Sequence, residues 1–161
     1  RVLAFEPPFA SYYTLVHNVY ANDLQDRVSA YPLAVSNGLA FDNLYLSAIT
    51  AGKSLNNYGD ARPSEEELWH AVIPQAAVSI SIDEFVRVTG VMPNHIKVDV
   101  DGIEPRIVEG ARQTLADPRL KSIMIEIDEN DSGHMAIHDV MKSSGFGRFL
   151  KDPAGVFFFR D

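Results

Sequence analysis

Four short polar clusters in this 161-residue sequence could carry chemistry, and each follows an apolar run. They are Glu6 after VLAF, Ser36-Asn37 after LAV, Asp99 and Asp101 within HIKVDVDGIEP, and Glu126 with Asp128 after SIMI. If those runs are parallel strands, the polar groups lie beyond their carboxyl ends, where open α/β sheets bind ligands. Any one polar strand end is what emergence into solvent produces. Four together point to a site, the more so because Lys97 sits one step deeper in a strand expected to be covered on both faces.

The individual residues suggest particular chemistry. An acid at the position of Glu6 can accept hydrogen bonds from ribose hydroxyls, which a carboxylate does bidentately. Such an acid normally accompanies a glycine-rich loop about 20 residues upstream. This chain starts at the strand that Glu6 ends. The run DVDG resembles the nucleophile motif of haloacid-dehalogenase-type phosphatases, with Asp99 as nucleophile, Asp101 as general acid and Mg²⁺ between them. Against that reading, Lys97 occupies an apolar position, Ile103 replaces the usual Thr, and DENDSGH lacks the Gly-Asp lead-in of a second metal motif. The spacing of oxygen ligands after Asp101 fails for a calcium loop.

His134 and His138 are four apart on one expected helix face, as a metal pair would be, but no third ligand follows by spacing. They read as exposed helix residues and no metal site is expected, although His134 follows a strand end closely enough to act as a base. His17, His70 and His95 read as structural or surface residues. Trp69 and Tyr58 either line a substrate pocket or cap the core.

Composition narrows the partners. At 46% apolar and 22% charged, this is an ordinary globular chain, long enough for one domain with a sizeable core. A net charge of −8 without a Lys/Arg cluster argues against nucleic acid. No run approaches the roughly 20 apolar residues needed to span a bilayer, so no membrane partner is expected. The absence of Cys excludes disulfides and thiolate chemistry and suits a cytoplasmic location. A chain beginning at Arg1 without a signal peptide is expected to be processed, trimmed or part of something longer.

The elements that must position these residues follow from periodicity. Val2 to Phe5 reads as a strand stopped by Glu6-Pro7-Pro8, and Ser11 to Asn22 as a helix with Leu15, Val16, Val19 and Tyr20 on one side. Val28 to Val35 reads as a strand ended by Ser36-Asn37-Gly38. Residues 39–75 form an irregular excursion in which FDNLYLSA could be a strand and Ser64 could cap a short helix through Trp69. Val78 to Ile82 reads as a strand, and Asp83 as the cap of a helix that stops at Gly90. After the DVDG strand come a helix over 104–115, a strand over 120–127 and a helix from His134 to Ser143. A hairpin about Asp152-Pro153-Ala154-Gly155 closes the chain. Strands alternating with helices imply a mostly parallel α/β sheet, with one antiparallel hairpin strand at an edge.

Several of these stretches together resemble FkbM-type methyltransferases: FEPPFASYYTLVHNVYAND, LAVSN, the long SISIDEFVRVTGVMPNHIKVDVDGIEPRIVEGARQTL, and IMIEID. The central stretch is the most specific, with Asp101 where Glu is more usual, and the likeness covers most of the chain outside 39–75. The resemblance implies a Rossmann-like, class I methyltransferase fold that uses S-adenosylmethionine. Methyl transfer would go to a hydroxyl of a small-molecule acceptor, such as a sugar or another natural product. Position by position it implies that Glu6 and Pro7 hold the ribose of S-adenosylmethionine, and that Ala34, Val35 and Ser36 lie near the adenine. Asp99 would stand beside the methionine moiety and act catalytically. Asp101 and Glu104 would be on the substrate side, with Glu126 and His134 as further candidate bases.

The glycine-rich first motif of that family has no counterpart in the 161 residues, nor do its first strand and helix. A single, N-terminally incomplete domain over 1–161 is therefore expected. The missing strand belongs between those of Glu6 and Asp99, and leaving it out would expose two strand edges. Either the chain is a fragment of a longer protein or another segment fills the slot, as in a swapped homodimer. A non-catalytic methyltransferase-like module is the remaining alternative.

Overall fold

Pro7 and Pro8 end the first strand and start the first helix, because proline cannot extend a ladder and is pre-set for a helix start. A computed structural model describes residues 1–52, 57–59, 73–128, 132–152 and 155–160. It divides into two compact units, Arg1–Val35 with Leu39–Ile80, and Ser36–Gly38 with Ser81–Asp161.

In the first unit, β1 (Val2–Phe5) and β2 (Val28–Tyr31) pair in parallel from Val2↔Val28 to Phe5↔Tyr31. The intervening α1 (Phe9–Ala21) begins two residues before the expected start, where the Tyr12 amide donates to the Pro8 carbonyl. The strand expected over Val28 to Val35 is split at Pro32, which has no N–H for a ladder. Its second half, β3 (Ala34–Val35), joins a different sheet. That sheet has the order β3-β6-β4-β5, built from β4 (Ala40–Leu46), β5 (Asn57–Tyr58) and β6 (Ile73–Ile80).

The segment expected to be irregular thus contains a strand pair, β4 antiparallel to β6 from Ala40↔Ser79 to Leu46↔Ile73. Strand β6 starts five residues before Val78, over Pro74-Gln75-Ala76-Ala77, which lacks the β-branched residues that signal a strand. Tyr58 caps the core of this sheet: it is buried and its hydroxyl donates to the Ala40 carbonyl at 3.2 Å. The expected helix from Ser64 through Trp69, and His70, lie outside the described residues.

In the second unit, α2 (Ile82–Thr89) has Ser81 as its cap: the Ser81 hydroxyl accepts from the Glu84 amide in a capping box. Asp83, the expected cap, instead caps a helix distant in sequence. Its carboxylate accepts from the Gln113 amide at 2.9 Å and from Thr114 N and Oγ1 at 2.8 and 2.7 Å. The helix expected over 104–115 is two pieces, α3 (Glu104–Glu109) and α4 (Arg112–Ala116), broken at Gly110. A Cβ there would overlap the Ser36 carbonyl oxygen and stand 2.8 Å from Asn37 Cα and 2.9 Å from Ser81 Cβ. The chain passes too close for any other residue.

The sheet of this unit comprises β7 (His95–Val98), β8 (Ser122–Ile125), β9 (Phe146–Asp152) and β10 (Gly155–Arg160), in the order β7-β8-β10-β9. β7 and β8 are parallel, and β10 runs antiparallel to both β8 and β9. The antiparallel strand therefore lies inside the sheet rather than at its edge. Val156 and Phe158 are buried on β10, while β9 past Phe146 is exposed and suits an edge. Helix α5 (Ser132–Ser143) precedes β9 and packs on α3.

Leu115, Leu120, Ile125, Ile137 and Met141 are buried between these elements, each stabilising by roughly 1.5–3 kcal/mol relative to exposure. Arg160 joins three segments of the unit, donating to the carbonyls of Leu120 at 3.0 Å, Ser144 at 2.8 Å and Leu115. The result is a mixed α/β fold with parallel and antiparallel pairings. Among the described residues no helix is long and apolar enough to cross a membrane.

Candidate active site

The parallel register of β7 and β8 ends at Val98↔Ile125, so Asp99 and Glu126 leave the sheet side by side. The Glu126 amide donates to the Val98 carbonyl at 3.4 Å, which carries the pairing one step past the strands. Alternation sends Ile96, Val98, Ile123 and Ile125 to one face, and Lys97, Asp99, Met124 and Glu126 to the other. Val98, Ile123 and Ile125 are buried. Lys97 and Asp99 form an ion pair, Nζ to Oδ2 at 2.7 Å, with side chains 63% and 56% exposed. The expectation that this strand is covered on both faces is thus overturned. Among the described residues β7 is the end strand of its sheet, and Lys97 and Asp99 are exposed on one face of it.

Past Asp99 the chain turns at Gly102, whose φ of +97° is a backbone conformation that glycine adopts without strain. Asp101 is exposed in this turn. Glu104 opens α3 immediately afterwards and is only 1% exposed. Burial raises its carboxyl above the ordinary value of 4.5. Its own backbone amide, His134 and the Gly102 amide pull the other way, and the charge of Glu126 adds to the rise.

His134 lies inside as well, 6% exposed, which overturns its reading as a surface residue. Its Nδ1 accepts from the Asp128 amide at 3.1 Å, and its Nε2 stands 3.4 Å from Glu104 Oε2. His138, one turn later, meets Phe149 and Phe158 edge-on at 5.6 and 5.2 Å between ring centroids. The two histidines therefore do different things. His95 pairs through Nδ1 with the Ser122 hydroxyl at 2.8 Å, as a surface structural residue.

Ser36 belongs to this unit too, buried against Gly110, and Asn37 Nδ2 donates to Glu109 Oε2 at 3.0 Å. Among the described residues the Ser36 hydroxyl has no hydrogen-bond partner. The second unit thus holds Ser36, Asp99, Asp101, Glu104, Glu126 and His134, and the first holds Glu6, Pro7, Ala34 and Val35.

Glu6 follows β1, its amide donating to the Tyr31 carbonyl at 3.0 Å, and burial raises its carboxyl above 4.5. Among the described residues no hydrogen bond reaches that carboxylate, so it fits a ligand that brings its own donors, as a vicinal diol does. Gln75 holds the turn after it, donating from Nε2 to the Pro7 carbonyl at 2.8 Å and accepting from the Phe9 amide at 3.0 Å. Ala34 and Val35 pair with Ser79 and Ile80 in β3, with Ala34 buried.

An open cleft of about 590 Å³ borders the Glu6 turn within the first unit, between Pro7, Phe9 and Tyr12 on one side and Phe41, Asp42 and Asn43 on the other. Its β4 wall was legible only as the strand FDNLYLSA, because its facing residues lie some 30 positions away in sequence.

Comparison with known proteins agrees with this architecture. The family model of the methyltransferase FkbM domain matches residues 1–147. A crystal structure of methyltransferase FkbM from Methylobacillus flagellatus KT matches with a TM-score of 0.56 at 13% identity. That match covers 99% of this chain and 36% of the other, so the chain spans about a third of that protein's length. No curated protein matches the chain. At such low identity the structural likeness concerns the fold, a Rossmann-like methyltransferase arrangement. With the family model covering nearly all of its length, the chain belongs to the FkbM methyltransferase family.

Proposed function

We propose that the protein transfers a methyl group from S-adenosylmethionine to a hydroxyl of a small-molecule acceptor such as a sugar or another natural product. The observation that carries this reading is the pair Asp99 and Glu126, which leave adjacent parallel strands together in a chain of a methyltransferase family. When bound, S-adenosylmethionine supplies an electrophilic methyl on a sulfonium. Glu6 would hold its ribose hydroxyls, with Pro7 shaping the turn, and Ala34, Val35 and Ser36 would flank the adenine. Lys97 holds Oδ2 of Asp99 and orients the carboxylate, which leaves Oδ1 to take the acceptor's hydroxyl proton. A positioned base of this kind contributes typically 10²–10⁴-fold. Glu126 is the second candidate for that proton, and Asp101 sits on the acceptor side.

The phosphatase alternative has no support here.

Calorimetric titration of the full-length protein with S-adenosylmethionine tests the reading. Saturable binding is expected, weakened about tenfold or more in Glu6→Gln, which loses a charged acceptor. Asp99→Asn is expected to keep the fold and to lose at least about 100-fold in methyl transfer. Absence of binding at millimolar cofactor would instead favour a non-catalytic module, and undiminished transfer by Asp99→Asn would remove that residue from the mechanism.

A further inference from the structure

His134 and Glu104 are buried, are thirty residues apart and meet inside the second unit. The Asp128 amide donates to His134 Nδ1, so that nitrogen keeps its lone pair and the ring proton belongs on Nε2. Nε2 stands 3.4 Å from Glu104 Oε2, an ion-pair contact in which that buried oxygen has no hydrogen-bond partner among the described residues. The Gly102 amide in turn acts on the Glu104 carboxyl. The series runs from the loop after β8, through α5 and the first residue of α3, to the turn after β7. Its two ends lie in the segments that carry Glu126 and Asp99.

We infer that His134, as its Nε2–H tautomer, and Glu104 form a positioning clasp that holds the β7 and β8 strand-end loops in fixed relation without touching the acceptor. Neither ring nitrogen is left for the acceptor's proton. A base must reach that proton directly or through one water, and both nitrogens already face groups of the chain itself. Glu104 likewise has its carboxyl inside, so it acts on Asp99 through the backbone of the intervening turn. Burial serves this role, because a polar contact shielded from water is electrostatically stronger than an exposed one. The clasp rests on the methyl-transfer reading only in what it positions. The ring tautomer of His134 and its bond from the Asp128 amide can be measured apart from that reading.

The full-length protein labelled with ¹⁵N-histidine shows the ring nitrogens directly at pH 8. A single Nε2–H tautomer with a hydrogen-bonded Nδ1 is expected for His134, retained in Glu104→Gln, whose amide oxygen still accepts. Exchange of the Asp128 amide should accelerate at least about tenfold in His134→Ala and return in His134→Gln, whose side chain offers both an acceptor and a donor. An Nδ1–H tautomer, or equal Asp128 exchange in wild type and His134→Ala, overturns the clasp.

Turnover separates positioning from base catalysis, measured with methyl-labelled S-adenosylmethionine and a mixture of methyl glycosides. His134→Ala should lose roughly 10- to 100-fold in kcat, with the KM for S-adenosylmethionine within about twofold, and His134→Gln should recover most of it. Equal loss in both variants marks His134 as the base and overturns the assignment. If the wild type neither binds nor uses S-adenosylmethionine, the methyl-transfer reading fails, while the ring-nitrogen spectra still decide the clasp.

Discussion

In the second unit Leu115, Leu120, Ile125 and Met141 are fully buried, Ile125 being the last residue of β8 before Glu126. The first unit buries Ala34, Leu44, Leu46 and Tyr58, while Phe9, Tyr13, Tyr20 and Phe41 stay exposed, Phe41 by 85%. Helix α1 has no buried residue among those described. The carboxylates of the two units are accordingly held in different ways. In the second unit Glu104 is buried beside His134, whereas the turn after Glu6 is held by the two hydrogen bonds of Gln75. A packed core transmits strain and forbids small volume changes, but a side-chain tie over an open surface fails by itself and spares the rest.

The largest expected effect tests the packed side of that contrast. Gly110→Ala must push a methyl into the Ser36 carbonyl and against Asn37 and Ser81, at a cost of about 3 kcal/mol. Denaturant unfolding should show the loss, and a cost under about 1 kcal/mol would mean that this crossing is looser than it looks. In the first unit Gln75→Leu leaves the Phe9 amide and the Pro7 carbonyl without their side-chain partner. The same measurement should report roughly 1–2 kcal/mol. Cofactor affinity should fall with it if the turn orients Glu6.

A third expectation concerns pH. The Glu104 carboxyl is raised in the folded state, chiefly by burial, so the folded protein binds that proton more tightly than the unfolded chain. Its contribution to stability is therefore fully present below the ordinary value of 4.5 and is lost as pH rises through the folded value. Glu104→Gln removes the titration. Its melting temperature should exceed that of the wild type at pH 8, and the difference should shrink towards pH 4. A gap that widens on acidification would reverse the sign and contradict the burial of a costly charge. The smallest effect belongs to the open surface: Phe41→Ser should change unfolding free energy by no more than about 0.5 kcal/mol. A larger loss would show that the exposed ring is packed in the protein's working form.

Much of the scaffold was legible because its signals are local. The apolar alternation around Lys97, the run after Leu120, the helix stop at Gly90 and the hairpin about Asp152 each depend on neighbours within a few residues, and each appears as an element or its end. The positions of Asp99 and Glu126 beyond their strands followed from the same patterns. The errors came where a local signal was ambiguous or where a distant residue overrode it. Pro32 split a strand that apolar content alone would continue, and Ser81 took the cap from Asp83 because the latter serves Thr114. His134 read as exposed, since its partners Glu104 and Asp128 lie on other elements.

Composition, alternation and the IKVDVDGIE stretch by themselves determined the α/β class, the strands that carry acids and the family likeness. Only the tertiary structure decided that β10 lies between β8 and β9, and that Glu104 meets His134 out of water. Periodicity is a property of the chain's own geometry, read over a few residues. Pairing across thirty residues or more depends on which burial and hydrogen-bond arrangement wins for the whole unit.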